Sequence, residues 1–244
     1  MYTFNKNTKT ALKEHSLNVA GAVSSLENGT FVKIICGAAN TNSRQVERLS
    51  LVYSLTGVDV IDISPSTGII QAAKSGIKQA LEIYRQNPEM FPGFKEPVLM
   101  VSLDSGNDLH FRKAEVNYNK CINCLACIDS CPSKAIFAGN SSLDLDKNKC
   151  YGCGRCIQAC QHNAINFINF NCSLNINLEG IKAIEVHTGN NSIEEVKNFL
   201  ELSESLLQNT ELLSFCVESK RFNAVEMQDY VDNLINLAGR KVII

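Results

Sequence analysis

The chain lacks most of the features that would assign it quickly. No apolar run among its 244 residues approaches the roughly 18 residues that a membrane-spanning helix needs. The first residues, MYTFNKNTKTALKEH, carry no apolar stretch of the kind a secretory signal uses. Basic residues (23) do not outnumber acidic ones (25), so a net charge of −2 offers no surplus for nucleic acid or an anionic membrane surface. There is no G-x-G-x-x-G with a following acidic residue, no P-loop and no nucleophile elbow. No flavin or nicotinamide fingerprint and no catalytic constellation can be read. With 45% hydrophobic and 20% charged residues, disorder is excluded as well. The expectation is a globular chain in the cytoplasm, without an integral membrane segment or a nucleic-acid partner, forming one large domain or two smaller ones.

Cysteine is what the chain has in excess. There are eleven, and eight of them fall between Cys121 and Cys160; the others are Cys36, Cys172 and Cys216. An odd count, tightly clustered and without an export signal, reads as metal binding rather than as a disulfide framework. The eight form a repeat. CINCLACIDSCPSKAIF starts at Cys121 and CYGCGRCIQACQHNAINF at Cys150, and both follow C-x2-C-x2-C-x3-C. The match continues past the ligands: Ala135-Ile136 follows Cys131 as Ala164-Ile165 follows Cys160.

Three thiolates spaced two residues apart wrap one face of a cubane cluster as the chain turns, and the fourth must come from elsewhere. In the two-cluster bacterial ferredoxin pattern the fourth cysteine of each run ligates the other cluster. That assigns Cys121, Cys124, Cys127 and Cys160 to one [4Fe-4S] cluster, and Cys150, Cys153, Cys156 and Cys131 to a second. Structural zinc is the competing reading, but it uses two C-x2-4-C pairs around one tetrahedral ion and suits this spacing less well. One departure is visible: Pro132 follows Cys131, whereas Gln161 follows Cys160.

Outside this segment, short apolar runs alternate with helical periodicity. Strands are expected at 31–36, 58–64, 98–103, 181–187 and 212–217, with a strand beginning in the terminal KVII. Helices are expected from a cap at Asn42 or Ser43 to Gly57, with Val46, Leu49, Val52 and Leu55 on one face, and over 66–86, 192–208 and 223–237. The fold class is therefore α/β: a partial (β/α) barrel-like parallel sheet carrying an inserted α+β, two-cluster ferredoxin-like domain. A closed barrel needs eight strands and six are counted; an open doubly wound sheet is the alternative. The expected division is an N-terminal extension (1–30), a first β/α part (31–109), the insert (110–176) and a second β/α part (177–244).

The insert leaves from the end of the third strand, so the clusters should sit over the strand C-terminal edge, where α/β folds bind ligands. Cys36-Gly37, Asp62 with Ser64, Asp104, Glu185 with His187, and Cys216 with Glu218 end strands on that side. Glu185 and His187 are two apart and share a face, as a ligand pair or as a satisfied polar pair. Asp62 and Asp104 are bases or turn caps, with caps favoured. Cys36 and Cys216 default to packing; His162 is expected to be exposed, and Cys172 is a candidate ninth thiol. HFRK (110–113) is either a docking patch for an anion or acidic partner, or a solvated loop.

KIICGAANTNSRQVERLSLVYSLTGVDVIDIS, LMVSLDSGNDLHFRKAE, the two cysteine runs and IEVHTG together resemble the LdpA (light-dependent period) family of cyanobacteria, from about Phe31 onward. The resemblance implies two [4Fe-4S] clusters on the eight cysteines and a redox sensor that feeds light or metabolic information to the circadian clock. It also implies clock-associated proteins as partners. The family continues past KVII with further strand–helix units that would complete a barrel. An electron donor or acceptor, or a quinone-type molecule, is a further candidate partner. An iron–sulfur oxidoreductase, flavin-assisted or not, acting on a small molecule at the strand edge is the alternative function.

Overall fold

A computed structural model describes residues 17–106, 108–139, 142–169, 176–239 and 242–243. Its frame is a six-stranded, all-parallel sheet: β1 (Lys33–Ile35), β2 (Val60–Ile63), β3 (Val98–Asp104), then, after the insert, β8 (Ala183–Gly189), β9 (Leu212–Val217) and β10 (Val242–Ile243). The strands lie in chain order, β1-β2-β3-β8-β9-β10. A sheet that never reverses its order places every crossover on one face, as a barrel does; the doubly wound alternative is excluded. The sheet is an open part-barrel.

The crossovers are α2 (Ser43–Leu55), α3 (Thr67–Gln86), α6 (Ile193–Leu202) with α7 (Glu204–Leu207), and α8 (Ala224–Ala238). Their starts are written in the sequence. Asn42 accepts from Gln45 N–H, Ser66 from Ile69 N–H, and Ser192 and Asn223 form capping boxes with Glu195 and Glu226. Ser203 breaks the expected 192–208 helix into α6 and α7. Val52 is exposed rather than packed. The close face of α2 is instead built from small residues: Ser50 and Ser54 are fully buried, and a Cβ on Gly76 of α3 would lie 2.2 Å from Glu47 O. These helices approach backbone to backbone because glycine permits it.

The period-two alternation of the strands separates two cores. Ile61, Ile63, Leu99, Val101, Leu103, Ile184, Val186, Leu213 and Phe215 face the crossover helices. Val60, Val98, Met100, Ala183, Leu212 and Ile243 face the concave side, against Val19 and Ala22 of α1 (Leu17–Glu27), a helix within the segment expected to be an extension. Further along the same concave face toward the strand C-termini, the residues turn polar: Asp62, Ser102, Glu185 and Ser214, all buried.

Between β3 and β8 lies the insert: β4 (Arg112–Val116), α4 (Ala126–Asp129), β5 (Ile136–Ala138), β6 (Leu143–Leu145), α5 (Arg155–Ala159) and β7 (Ile165–Asn169). β4 pairs antiparallel with β7, and β5 with β6. Ala114, Val116, Ala135, Ile136, Leu143 and Ile165 form its core together with Cys127, Cys150 and Cys156. Thr41 bonds the carbonyl of Asn148, and Lys113 donates to Lys147 O at 2.7 Å.

Candidate metal centre

The sequence repeat is also a backbone repeat. Asn123 and Leu125 in the first run, and Gly152 and Gly154 in the second, occupy matching positions, and all four are left-handed (φ 57°, 64°, 72° and 78°). Lys134 and Asn163, each three residues past a fourth cysteine, match again at φ 51° and 49°. Left-handed residues set into turns point successive N–H groups into one concavity that suits an anion. Asn123, Leu125, Lys134 and Asn163 hold this conformation without being glycine, a cost that persists where the surroundings enforce it.

The thiols fall into two groups. Cys121, Cys124, Cys127 and Cys160 line one small pocket, walled by Leu125, Leu143, Ala159 and Ile165. Cys131, Cys150, Cys153 and Cys156 line a second, walled by Ala114, Ala135, Ile136 and Tyr151. Each cavity thus takes three cysteines from one run and the fourth from the other. Backbone amides reach the sulfurs: Ala135 N–H donates to Cys131 Sγ and Ala164 N–H to Cys160 Sγ, both at 3.3 Å, and Ala114 N–H donates to Cys150 Sγ at 3.4 Å. Burial, then the neighbouring thiols of its own group, pushes Cys156 up to about 11 when no metal is present. Four thiols in an apolar pocket with amide donors fit an iron–sulfur group, whose ligands are thiolates and whose sulfurs accept such bonds. Gln161 leaves the backbone of the second run like that of the first, because Cys160 keeps the amide bond and Asn163 the left-handed turn. His162 is exposed at the rim of the first cavity. Cys172 lies outside the described residues.

The strand C-terminal edge holds a second constellation. Lys33, Glu185, His187, Ser214 and Cys216 line a cleft whose other wall includes Tyr151 and Gly152, beside two thiols of the second group. Glu185 Oε1 pairs with Lys33 and accepts from Ser214 at 2.9 Å. Asp62 takes the Ser102 hydroxyl between its two oxygens, at 2.7 and 2.9 Å. It therefore caps no turn, contrary to the favoured reading; Asp104 does, accepting from Gly106 N–H at 2.9 Å. Asp108 bridges two imidazoles, with Oδ1 2.6 Å from His110 Nδ1 and Oδ2 3.1 Å from His187 Nδ1.

Burial and the nearby Glu185 push Asp62 up to about 7. Against the cost of burial, the bond to Asp108 and the closeness of Cys216 and Glu185 push His187 up to about 12, and His187 with Lys33 holds Glu185 below the usual carboxylate range. Lys33 and Asp108 were not foreseen; a lysine inside an apolar strand run was the available signal for the first, and Asp108 had none. HFRK supplies no free docking patch: His110 is bonded to Asp108, Arg112 lies 3.8 Å over the Phe167 ring, and Lys113 is buried. Cys36 packs into the main core, as expected.

With this geometry in place, comparison with known proteins defines the class. Residues 121–171 match the LdpA Fe-S cluster-binding domain family, so the chain is an iron–sulfur protein. Over 96 residues, 39% of this chain, it is 35% identical to Light dependent period A of Synechococcus elongatus. That match spans 25% of the relative's length. The family match covers the cysteine-rich insert, and the similarity to Light dependent period A covers about a quarter of that relative. Among the described residues, no helix is long and apolar enough to cross a membrane.

Proposed function

We propose that the chain is a redox-responsive protein with two [4Fe-4S] clusters, one held by Cys121, Cys124, Cys127 and Cys160 and the other by Cys131, Cys150, Cys153 and Cys156. The observation that carries this reading is the sorting of eight thiols into two cavities with the fourth cysteines exchanged. When bound, each cluster supplies one-electron redox chemistry. The protein's own groups set the conditions. Apolar walls exclude water, the amides of Ala114, Ala135 and Ala164 stabilise negative charge on sulfur, and the exposed Cys124 and Cys153 mark the faces nearest a partner.

Crossed ligation makes the insert's integrity depend on its metal. Release of either quartet frees thiols on both runs at once, and the insert core, which includes Cys127, Cys150 and Cys156, loses its tie. Tyr151 and Gly152 line the sheet-edge cleft, so loosening there changes the surface offered to partners. By its relationship to Light dependent period A, the output assigned is a report of cellular redox state to clock-associated proteins in the cytoplasm, with an electron carrier or quinone-type molecule as the input.

The test uses protein purified without oxygen. About eight iron and eight sulfide per chain, with an EPR spectrum of interacting clusters after dithionite, supports the reading. Zinc, or iron far below that level, overturns it. A second reading, an oxidoreductase at the strand edge, is favoured by one observation: the cleft brings buried Glu185 and His187 opposite Tyr151 and Gly152. Turnover of an added small-molecule acceptor by the reduced protein would decide for it.

A further inference from the structure

We propose that the concave face of the sheet holds one divalent transition-metal ion, distinct from the iron–sulfur cysteines, bound by the carboxylates of Asp62 and Glu185 and by Nε2 of His187. One ligand atom from each of these residues lies within 4.8 Å of the other two. All three residues are at most 5% exposed. His187 Nε2 is buried without a well-formed hydrogen bond, and Glu185 Oε2 stands 3.4 Å away. Two ligands on a tetrahedral ion with bonds of about 2.0–2.1 Å sit roughly 3.3 Å apart, so this separation is what a shared metal requires.

Each ligand is also held from behind. Asp108 Oδ2 accepts from His187 Nδ1 at 3.1 Å, which fixes the ring and leaves Nε2 free to bind. Ser102 donates to Asp62. Ser214 and Lys33 occupy Glu185 Oε1, which leaves Oε2 toward the imidazole. Metal-ligating histidines and carboxylates are commonly oriented in this way. The other acidic-imidazole group, Asp108 with His110 and His187, does not serve: a 2.6 Å separation between Asp108 Oδ1 and His110 Nδ1 is a hydrogen bond, too short for two ligands on one ion.

The charge balance points the same way. Asp62 and Glu185 are buried side by side, and burying two carboxylates is expensive unless cations meet them. Lys33 supplies one positive charge. A dication held between Asp62, Glu185 and His187 would supply more. The donor set of one nitrogen and carboxylate oxygens, with no obligatory thiolate, suits Zn²⁺, Mn²⁺ or Fe²⁺ and differs in kind from the cysteine cavities. Glu185 and His187 line the cleft, which gives an ion a path from solvent to the ligands.

The test is zinc uptake by the anaerobically purified protein carrying Cys36→Ala and Cys216→Ala, which removes the two thiols that line the cleft. After incubation with Zn²⁺ and desalting, about one zinc per chain is expected with iron content unchanged. X-ray absorption at the zinc edge should show nitrogen and oxygen near 2.0 Å and no sulfur near 2.3 Å. His187→Gln should abolish retention. Asp108→Asn, which weakens the support of the His187 ring and the bonds to His110, should weaken it 10–100-fold with the same zinc spectrum. A far-ultraviolet circular dichroism spectrum and thermal midpoint matching the parent show that a variant has folded. No retained zinc, zinc bound through sulfur beside an unchanged iron content, or undiminished retention in His187→Gln overturns the proposal, whereas protein that carries zinc in place of iron before incubation overturns the cluster assignment instead.

Discussion

Cys131 and Cys160 have exchanged places: each lines the cavity built by the other's run, and each accepts an amide hydrogen bond at 3.3 Å from an alanine four residues on, Ala135 and Ala164. The equivalence extends to the left-handed Lys134 and Asn163 that turn the chain between sulfur and amide. A repeat in the sequence has become a two-fold arrangement in which neither half is complete alone. Amide bonds to sulfur would favour the more negative, reduced state of a cluster, and the second group has one more, from Ala114 N–H to Cys150 Sγ.

Gly152 joins the second cysteine run to the rest of the insert. Its φ of +72° is left-handed, and a Cβ there would lie 2.3 Å from Arg112 O. Gly152→Ala combines strain with a backbone clash, which should cost on the order of 1–3 kcal/mol. Chemical unfolding of the insert should shift accordingly, and iron release to a chelator should be faster than from the parent protein.

Gly76 governs the fold rather than the site. Adding a methyl group places it 2.2 Å from Glu47 O, between α2 and α3. Because Glu47 O and Leu51 N, the latter at 3.0 Å, are backbone atoms, the helices must separate, and overpacking of this kind typically costs about 1–3 kcal/mol. Gly76→Ala should lower the thermal midpoint of the sheet while leaving the iron content of the native protein unchanged.

Asp62 gives the stability a definite pH slope in the absence of added divalent cation. Its carboxyl is raised from 3.8 to about 7, by burial first and Glu185 second. The folded state therefore binds the proton more tightly than the unfolded chain. This contribution declines as pH rises from about 4 to 7. His187, raised to about 12, adds stability that is complete below its unfolded value of 6.5 and declines above it, in the same direction. Urea unfolding at pH 5.5 and 7.0 should show the parent less stable at the higher pH. Asp62→Asn should flatten that slope.

Much of this was legible in the sequence because its causes are local. β9 matches its apolar run residue for residue, and β2, β3 and β8 match theirs closely, because strands buried on both faces read as continuous hydrophobic segments. The cysteine positions follow from ligand spacing. Features that depend on distant residues were hidden. Lys33 meets Glu185 across 152 positions, and Asp108 meets His187 across 79, so no window of sequence contains either pair. α1 was missed because its short buried stripe, Val19 and Ala22, is packed by tertiary contact with the concave face and is followed by no basic closing turn. Val52 fits the helical period yet is exposed, since the α2 surface that meets α3 is set by Ser50, Ser54 and Gly76.

The most direct test of the crossed arrangement is iron and acid-labile sulfide in two double variants purified without oxygen. Cys124→Ser with Cys160→Ser removes two ligands of one proposed quartet; Cys124→Ser with Cys131→Ser removes one from each. The account predicts that the first retains about four iron per chain and the second retains almost none. The reverse result, four iron in the Cys124/Cys131 variant and none in the Cys124/Cys160 variant, would show that each run holds its own cluster and would contradict it.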